Sequence, residues 1–369
     1  MTFHHLRNSL FHLIRNINQP ICLNQSEYLQ ASQLSNERNE IFDALKGVAI
    51  IFMIIGHSEI GPLYPFIYSF HMPLFFFVTG YFFKIRPVRE ELVLSVKRLI
   101  VPYIFTAFCI CIIAVFWDLL INSWENFSFT QARIVRYALG FRGLSAPNWM
   151  VGHVGLLWFI LAMFWARCIA VFFLKRINSL AILGAIFLFL GIVGIFLGEN
   201  IFIPFCIPQG LSAICFIYVG FLIKKFNLIN LNTAKNFIPF LLILWFYTWM
   251  QGGLSMARSW YSTGYIFGIL GSAGAFFTLY VFVVSAYNKS SVFWKAIHFA
   301  GRYSLIMYVI HSIDYDICNW SAIAQYIHIP YECATFFQIS SRLVIVYVCT
   351  SLILKIRPLR AGVFQISNA

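Results

Sequence analysis

Charge is scarce in this chain, and acidic charge is scarcest. Of 369 residues only 13 are Asp or Glu, and all charged types together make up 11%. A soluble domain of this size cannot cover its surface with so little charge, so that class is excluded. No Cys or His spacing of a metal site is present, which removes a bound metal from the expected chemistry. Residues 1–40 hold no apolar core long enough for a signal peptide, so the first apolar span is expected to direct insertion itself. No low-complexity tract divides the chain, and no internal repeat of the kind found in secondary transporters is visible.

What fills the chain is apolar. Hydrophobic residues make up 60%, and the mean hydropathy is +0.79. These values predict an all-α, polytopic membrane protein surrounded by lipid. The net charge of +13 raises the question of nucleic acid, but the basic residues sit in small groups between apolar runs. The bias of lysine and arginine toward the cytoplasmic side explains that pattern, so no nucleic-acid partner is expected. Six of the nine cysteines (Cys109, Cys111, Cys168, Cys206, Cys215 and Cys349) lie in apolar runs, where a thiol packs as a small hydrophobe. Cys318 and Cys333 share a loop; pairing between them requires an oxidising compartment.

A span needs about 20 mostly apolar residues. Ten segments qualify, at 42–60, 66–84, 98–120, 154–174, 180–198, 204–223, 237–251, 264–286, 299–317 and 338–354. With both termini cytoplasmic, twenty of the 26 basic residues fall on the inner side. Arg133, Arg136, Arg142 and Arg258 lie outside, and Arg167 and Arg342 lie within spans. This arrangement requires an even number of spans, which ten satisfies. The expected organisation is a cytoplasmic tail at 1–40, a transmembrane domain at 41–356 and a short cytoplasmic tail at 357–369. Apolar residues from Phe3 to Ile17 recur at helical spacing, which fits a helix lying on the membrane surface; a disordered tail fits as well. The outer loop at 121–153 carries Trp124, Trp149 and His153, either as a binding surface or as interfacial anchors.

Ionisable groups inside spans are costly and usually face a cavity or a partner. Lys46 and His57 are 11 positions apart in "LKGVAIIFMIIGH", so an ideal helix sets them on one face, about 16 Å apart along its axis. Asp43 stands at i−3 from Lys46, either as its ion partner or as a helix cap. Snorkelling to the headgroups explains the lysine alone equally well, but not the histidine, whose alternative is a satisfied core imidazole. In "FIYSFHMPLFFFVTGYFF", His71 precedes Pro73, whose missing N–H frees a carbonyl that a neighbouring helix or polar cavity must satisfy. The following loop holds Lys84, Arg86, Arg89, Lys97 and Arg98, which serve either headgroup contact or the phosphates of an anionic cosubstrate. Trp158 and Phe159 are explained by core packing, and His311 with Asp314 at i+3 by a local pair.

These segments, with "KRLIVPY", "LWFILAMF", "IPQGLSAICFIYVGF" and "YSLIMYVIH", resemble in order the integral-membrane acyltransferase family three, from about residue 40 to 356. The similarity is greatest to its bacterial fucose 4-O-acetylase-like branch. The resemblance implies transfer of an acetyl group from cytoplasmic acetyl-CoA, a cosubstrate rather than a resident cofactor. The acceptor would be a hydroxyl of a surface polysaccharide or lipid-linked sugar at the outer face of the bacterial inner membrane. It places the family's basic residue and histidine on Lys46 and His57, with Lys where Arg is usual, and Asp43 beside them. It implies donor contacts at Lys97, Arg98, Lys46, Tyr103 and Thr79; because His57 lies toward the outer side, acceptor contacts are expected at the loop 121–153 with His71, Trp158 and His311. His57 would act as general base or as a transient acyl carrier. Asp43 lies about 21 Å from it along a helix, too far to complete a triad. The rival reading is a transporter or flippase of a lipid-linked glycan, with Lys46 and His57 lining its path.

Overall fold

The computed structural model describes residues 25–121, 128–143 and 152–366. The proposed surface helix at 3–17, Trp124 and Trp149 lie outside the described residues. Helices account for nearly all the secondary structure, and the described strands form one two-stranded hairpin, β1 (Leu254–Ser255) and β2 (Trp260–Tyr261). Six stretches are long and apolar enough to cross a membrane: Val88–Phe116, Gly155–Leu174, Leu180–Asn200, Ile207–Lys225, Tyr265–Ala286 and Tyr331–Lys355.

The helices run in chain order. α1 (Gln25–Gly56) leads into α2 (Leu63–Tyr68), α3 (His71–Tyr81) and α4 (Val88–Ser95). A π-helical turn at Val96–Ile100 opens α5 (Val101–Ile121), and α6 (Ser128–Leu139) precedes α7 (Trp158–Leu174) and α8 (Leu180–Asn200). There follow α9 (Ile207–Lys225), α10 (Leu231–Met250), α11 (Tyr265–Ala286), α12 (Val292–Arg302), α13 (Ser304–Ile317), α14 (Trp320–Tyr326) and α15 (Tyr331–Lys355).

Two glycine pairs set how tightly this bundle closes. Where α1 crosses α12, a Cβ on Gly47 would lie 1.9 Å from the Ile297 carbonyl oxygen, and one on Gly301 would lie 1.6 Å from that of Asp43. Where α3 crosses α9, Gly80 and Gly220 meet the carbonyls of Ile217 and Phe77 in the same way, at 1.9 and 2.1 Å. Small residues let apolar helices approach backbone to backbone, where dispersion rather than water release holds them. α9 packs on α3, α7 and α8 and is buried along most of its length. On α8, by contrast, Phe189, Ile192 and Phe196 are exposed, as lipid-facing residues would be.

Two expected spans are broken. The segment at 66–84 divides into α2 and α3 at Ser69 and Phe70, and the segment at 299–317 divides at Tyr303. Pro73 is the physical reason for the first break: it has no N–H for the carbonyl four residues earlier, that of Ser69. The Ser272 hydroxyl of α11 donates to that carbonyl at 2.9 Å. The Trp245 indole of α10 donates to the Ser69 hydroxyl at 2.7 Å. Neighbouring helices thus satisfy backbone and side chain where a lone helix in lipid could not.

Candidate active site

The face of α1 that carries Asp43 and Lys46 continues through Ile50 and Met53, at helical spacing, and lines a cavity of about 770 Å³. α3 contributes Met72 and Thr79, α4 and the π-helical turn contribute Glu91 and Arg98, α7 contributes Arg167, and α13 contributes Tyr308. Five cations line it (Lys46, Lys84, Arg86, Arg98 and Arg167) against two carboxylates. Those carboxylates are committed: Asp43 lies 2.7 Å from the Lys46 ammonium, and Glu91 is held by Arg167 through Nη2 at 2.5 Å and Nε at 2.9 Å. Lys84 and Arg98 have no carboxylate partner among the described residues. The surplus charge suits a polyanion at this mouth.

A second cavity, of about 320 Å³, opens at the opposite end of α1 and is lined by His57, His71, Tyr68, Trp158, Arg142 and Arg258 among others. Met53, Met72 and Tyr308 belong to the walls of both cavities, so one layer of side chains stands between them. Lys46 and His57 share the α1 face but look into different chambers.

His57 follows the last residue of α1, and its Nδ1 lies 2.7 Å from the Met53 carbonyl. A carbonyl only accepts, so Nδ1 carries the hydrogen and Nε2 is left with a lone pair. His71 is fixed in the same way on the carbonyl of Ile67, at 2.8 Å. The ring centroids of His71 and His311 lie 6.5 and 5.4 Å from that of His57, and those of Tyr68 and Tyr315 lie 6.1 and 5.4 Å away. His311 is fully buried behind His57, its Nδ1 3.5 Å from Asp314. Asp314 accepts from Arg342 at 2.8 Å and from the Trp320 indole at 2.7 Å, while the ring nitrogens of His311 are buried with no hydrogen-bond partner.

The structure thus brings His57, His71, His311 and Trp158 to one end, and Asp43, Lys46, Thr79 and Arg98 to the other. Lys97 stands apart from Arg98: it is exposed and lines a shallow depression with Arg89 and Val93. Tyr103 is buried, and its hydroxyl donates to the Tyr137 carbonyl at 2.5 Å, so it ties α5 to α6 and lines neither cavity. Cys318 and Cys333 are both free thiols. In the sequence Arg142, Arg258, Arg167 and Arg342 stand out as exceptions to the charge bias, and an arginine in or beside a span is itself a signal of a site. Tyr68 and Tyr315 gave no such signal, because tyrosine is common near membrane surfaces.

Two groups in loops are electrostatically perturbed: Arg142, which lines the second cavity, and His153, which does not. Burial, and then Arg258, pull the Arg142 guanidinium below its ordinary value. The half-buried imidazole of His153 is lowered first by burial and then by Arg142, Arg258 and Arg136. Uncompensated positive charge is therefore concentrated there.

The described helices thus form a bundle in which a basic chamber and an imidazole chamber share one wall. A family model described as an acyltransferase domain matches residues 39–355, and the chain belongs to that acyltransferase family. The chain is also similar to Nodulation protein NolL of Sinorhizobium fredii (strain NBRC 101917 / NGR234), at 28% identity over 146 residues, which are 35% of this chain and 36% of the relative. The chain therefore spans little more than a third of that relative's length. No solved structure matches the chain. An acyltransferase needs an acyl donor and an acceptor, and the two chambers offer a place for each.

Proposed function

We propose that the protein moves an acetyl group from cytoplasmic acetyl-CoA to a hydroxyl of a surface polysaccharide or lipid-linked sugar at the outer face of the bacterial inner membrane. One observation carries the reading: two cavities, one lined by Lys46 and Arg98 and the other by His57 and His71, meet at Met53, Met72 and Tyr308. In this reading the chain crosses the membrane ten times, as one domain over 41–356 with cytoplasmic tails. α2 with α3, and α13 with the end of α12, each act as one broken crossing. The Lys46 end is the cytoplasmic one.

The phosphates of the donor rest among Arg98, Lys84 and Lys46, and its thin arm runs along Ile50 toward Met53. Side-chain movement at the shared wall lets the thioester reach the imidazole. His57 Nε2 takes the proton of the acceptor hydroxyl as its oxygen attacks the thioester carbonyl carbon. The C–S bond then breaks, the sulfur leaves as thiolate, and the imidazolium returns its proton to that sulfur. In the covalent variant Nε2 itself attacks first and passes the acetyl group on. His71, Trp158 and the tyrosines flank the acceptor, and His311 with Asp314 supports the imidazole from behind.

The purified protein mixed rapidly with acetyl-labelled donor and no acceptor tests both forms. Protein-bound label that disappears in His57→Ala supports the covalent route; absence of label with acceptor-dependent transfer supports the direct one. Transfer should fall about 10²- to 10⁴-fold in His57→Ala, the usual worth of a positioned base. Ester-linked acetyl on the surface polysaccharide, measured by NMR, that is equal in cells carrying wild-type or His57→Ala protein would overturn the proposal.

A further inference from the structure

Arg142 and Arg258 are not explained by transfer chemistry. Both line the chamber of His57, yet they come from separate loops, Arg142 just after α6 and Arg258 between β1 and β2. Neither has a carboxylate partner among the described residues, and the Arg142 Nε is buried with no hydrogen-bond partner. The neighbouring Arg133 and Arg136, by contrast, share the one carboxylate of Asp316, Arg133 bonded at 2.9 Å and Arg136 in a longer contact at 3.8 Å. Glu59 is the one carboxylate in the chamber wall; it is exposed and accepts from the Ser321 hydroxyl at 3.3 Å.

The two arginines are held close by construction. Gln209, fully buried at the start of α9, donates through Nε2 to the carbonyl of Arg142 and, at 3.4 Å, to that of Ala257. One amide group thus ties the loop that bears Arg142 to the loop that bears Arg258. Like charges held together and left unpaired cost free energy unless a ligand supplies the opposite charge.

We propose that the acceptor carries a fixed negative charge, as phosphate or carboxylate oxygens, that Arg142 and Arg258 grip while its hydroxyl faces His57. The proposal rests on the acyl-transfer reading for the identity of the ligand as acceptor. Planar guanidinium forks match both oxyanions. A chamber of about 320 Å³ is in the size range of small-ligand pockets, and it holds the anion within one sugar residue or so of the imidazole. Two sources share this chemistry: the pyrophosphate of a lipid-linked sugar and the carboxylate of an acidic glycan unit.

The test is thermal unfolding of the purified full chain in detergent, with inorganic pyrophosphate, glucuronate or neutral glucose, each at the same ionic strength in chloride. An anion that binds the native state raises the midpoint. At least one anion should raise it in the wild type, glucose should not, and the rise that remains in Arg98→Gln should be lost when Arg258→Gln is added. Arg258 is exposed, so this variant keeps the experiment decisive even where Arg142→Gln, at the more buried position, fails to fold. A larger rise with pyrophosphate assigns the lipid-linked sugar, and a larger rise with glucuronate assigns the acidic glycan. The proposal is overturned by no rise with either anion, by an equal rise with glucose, or, in an Arg98→Gln background that disables the basic chamber, by a rise kept when Arg258→Gln is added. A rise that is instead lost in Arg98→Gln would place the anion in the basic chamber. No acetyl chemistry enters this measurement, so a failed transfer assay and a failed anion site are separate results.

Discussion

At the scale of single residues, the buried ion pair of Arg167 and Glu91 shows how the basic chamber is kept basic without tearing itself apart. The Glu91 side chain is 2% exposed and that of Arg167 23%, and Ser95 gives Glu91 a further hydrogen bond at 3.2 Å. Removing one member of such a pair strands the other charge in a low-dielectric setting, which typically costs about 3–5 kcal/mol. Arg167→Met alone should therefore lower the unfolding midpoint sharply. Arg167→Met with Glu91→Leu should recover most of the loss, because apolar replacement removes both desolvation costs. A double variant no more stable than the single one would mean that the pair is not electrostatically coupled. The imidazoles were legible in the sequence because an ionisable group in a span has few bland explanations. Which hydroxyl or cation turns toward a cavity was not. Tyr103 and Lys97 sit in the quoted motifs, yet one hydroxyl is spent on the Tyr137 carbonyl and one ammonium faces a different surface from its neighbour Arg98.

At the scale of elements, hydropathy reports what lipid or core will accept, not where the backbone stays continuous. The apolar run at 66–84 reads as one span because Ser69 and Phe70 barely interrupt it. The break between α2 and α3 becomes tolerable only through Ser272 and Trp245, some 200 residues away in the chain, and no local window contains them. The break carries consequences for the site, since His71 is the first residue of α3 and hydrogen-bonds back to Ile67 in α2. The α1–α12 crossing is equally invisible to periodicity and equally important, because Gly47 adjoins Lys46 and Gly301 touches the Asp43 backbone. Gly301→Ala should force the helices apart, at a cost of about 1–3 kcal/mol or more for overpacking. The displaced Asp43–Lys46 pair should weaken donor binding, seen as a raised KM for acetyl-CoA with a smaller change in acceptor KM. An unchanged melting curve and unchanged donor KM would show that the crossing has slack that the backbone distances do not allow.

At the scale of the whole molecule, the two chambers serve a transmembrane reaction only if they open to opposite compartments. Charge bias alone assigned the Lys46 end to the cytoplasm. The architecture supplies a native probe of this assignment: Cys333 is an exposed thiol in the first turn of α15, close to Thr335, whose hydroxyl lies 3.2 Å from the Glu59 carbonyl at the His57 end. α15 then runs the length of the bundle, past Tyr347 bonded to the Ala296 carbonyl, and finishes at Lys355 on the Lys46 end. One helix therefore carries a marker for each end of the bundle. In intact spheroplasts a membrane-impermeant maleimide should label Cys333. A Lys355→Cys substitution in a background whose native cysteines are all replaced by Ser should react only after the membrane is opened. Labelling with the reverse sidedness would turn the molecule over, placing Arg98 outside and His57 toward the cytoplasm. The donor route would then fail whatever His57→Ala does to transfer, because acetyl-CoA would lie on the wrong side of the shared wall at Met53, Met72 and Tyr308.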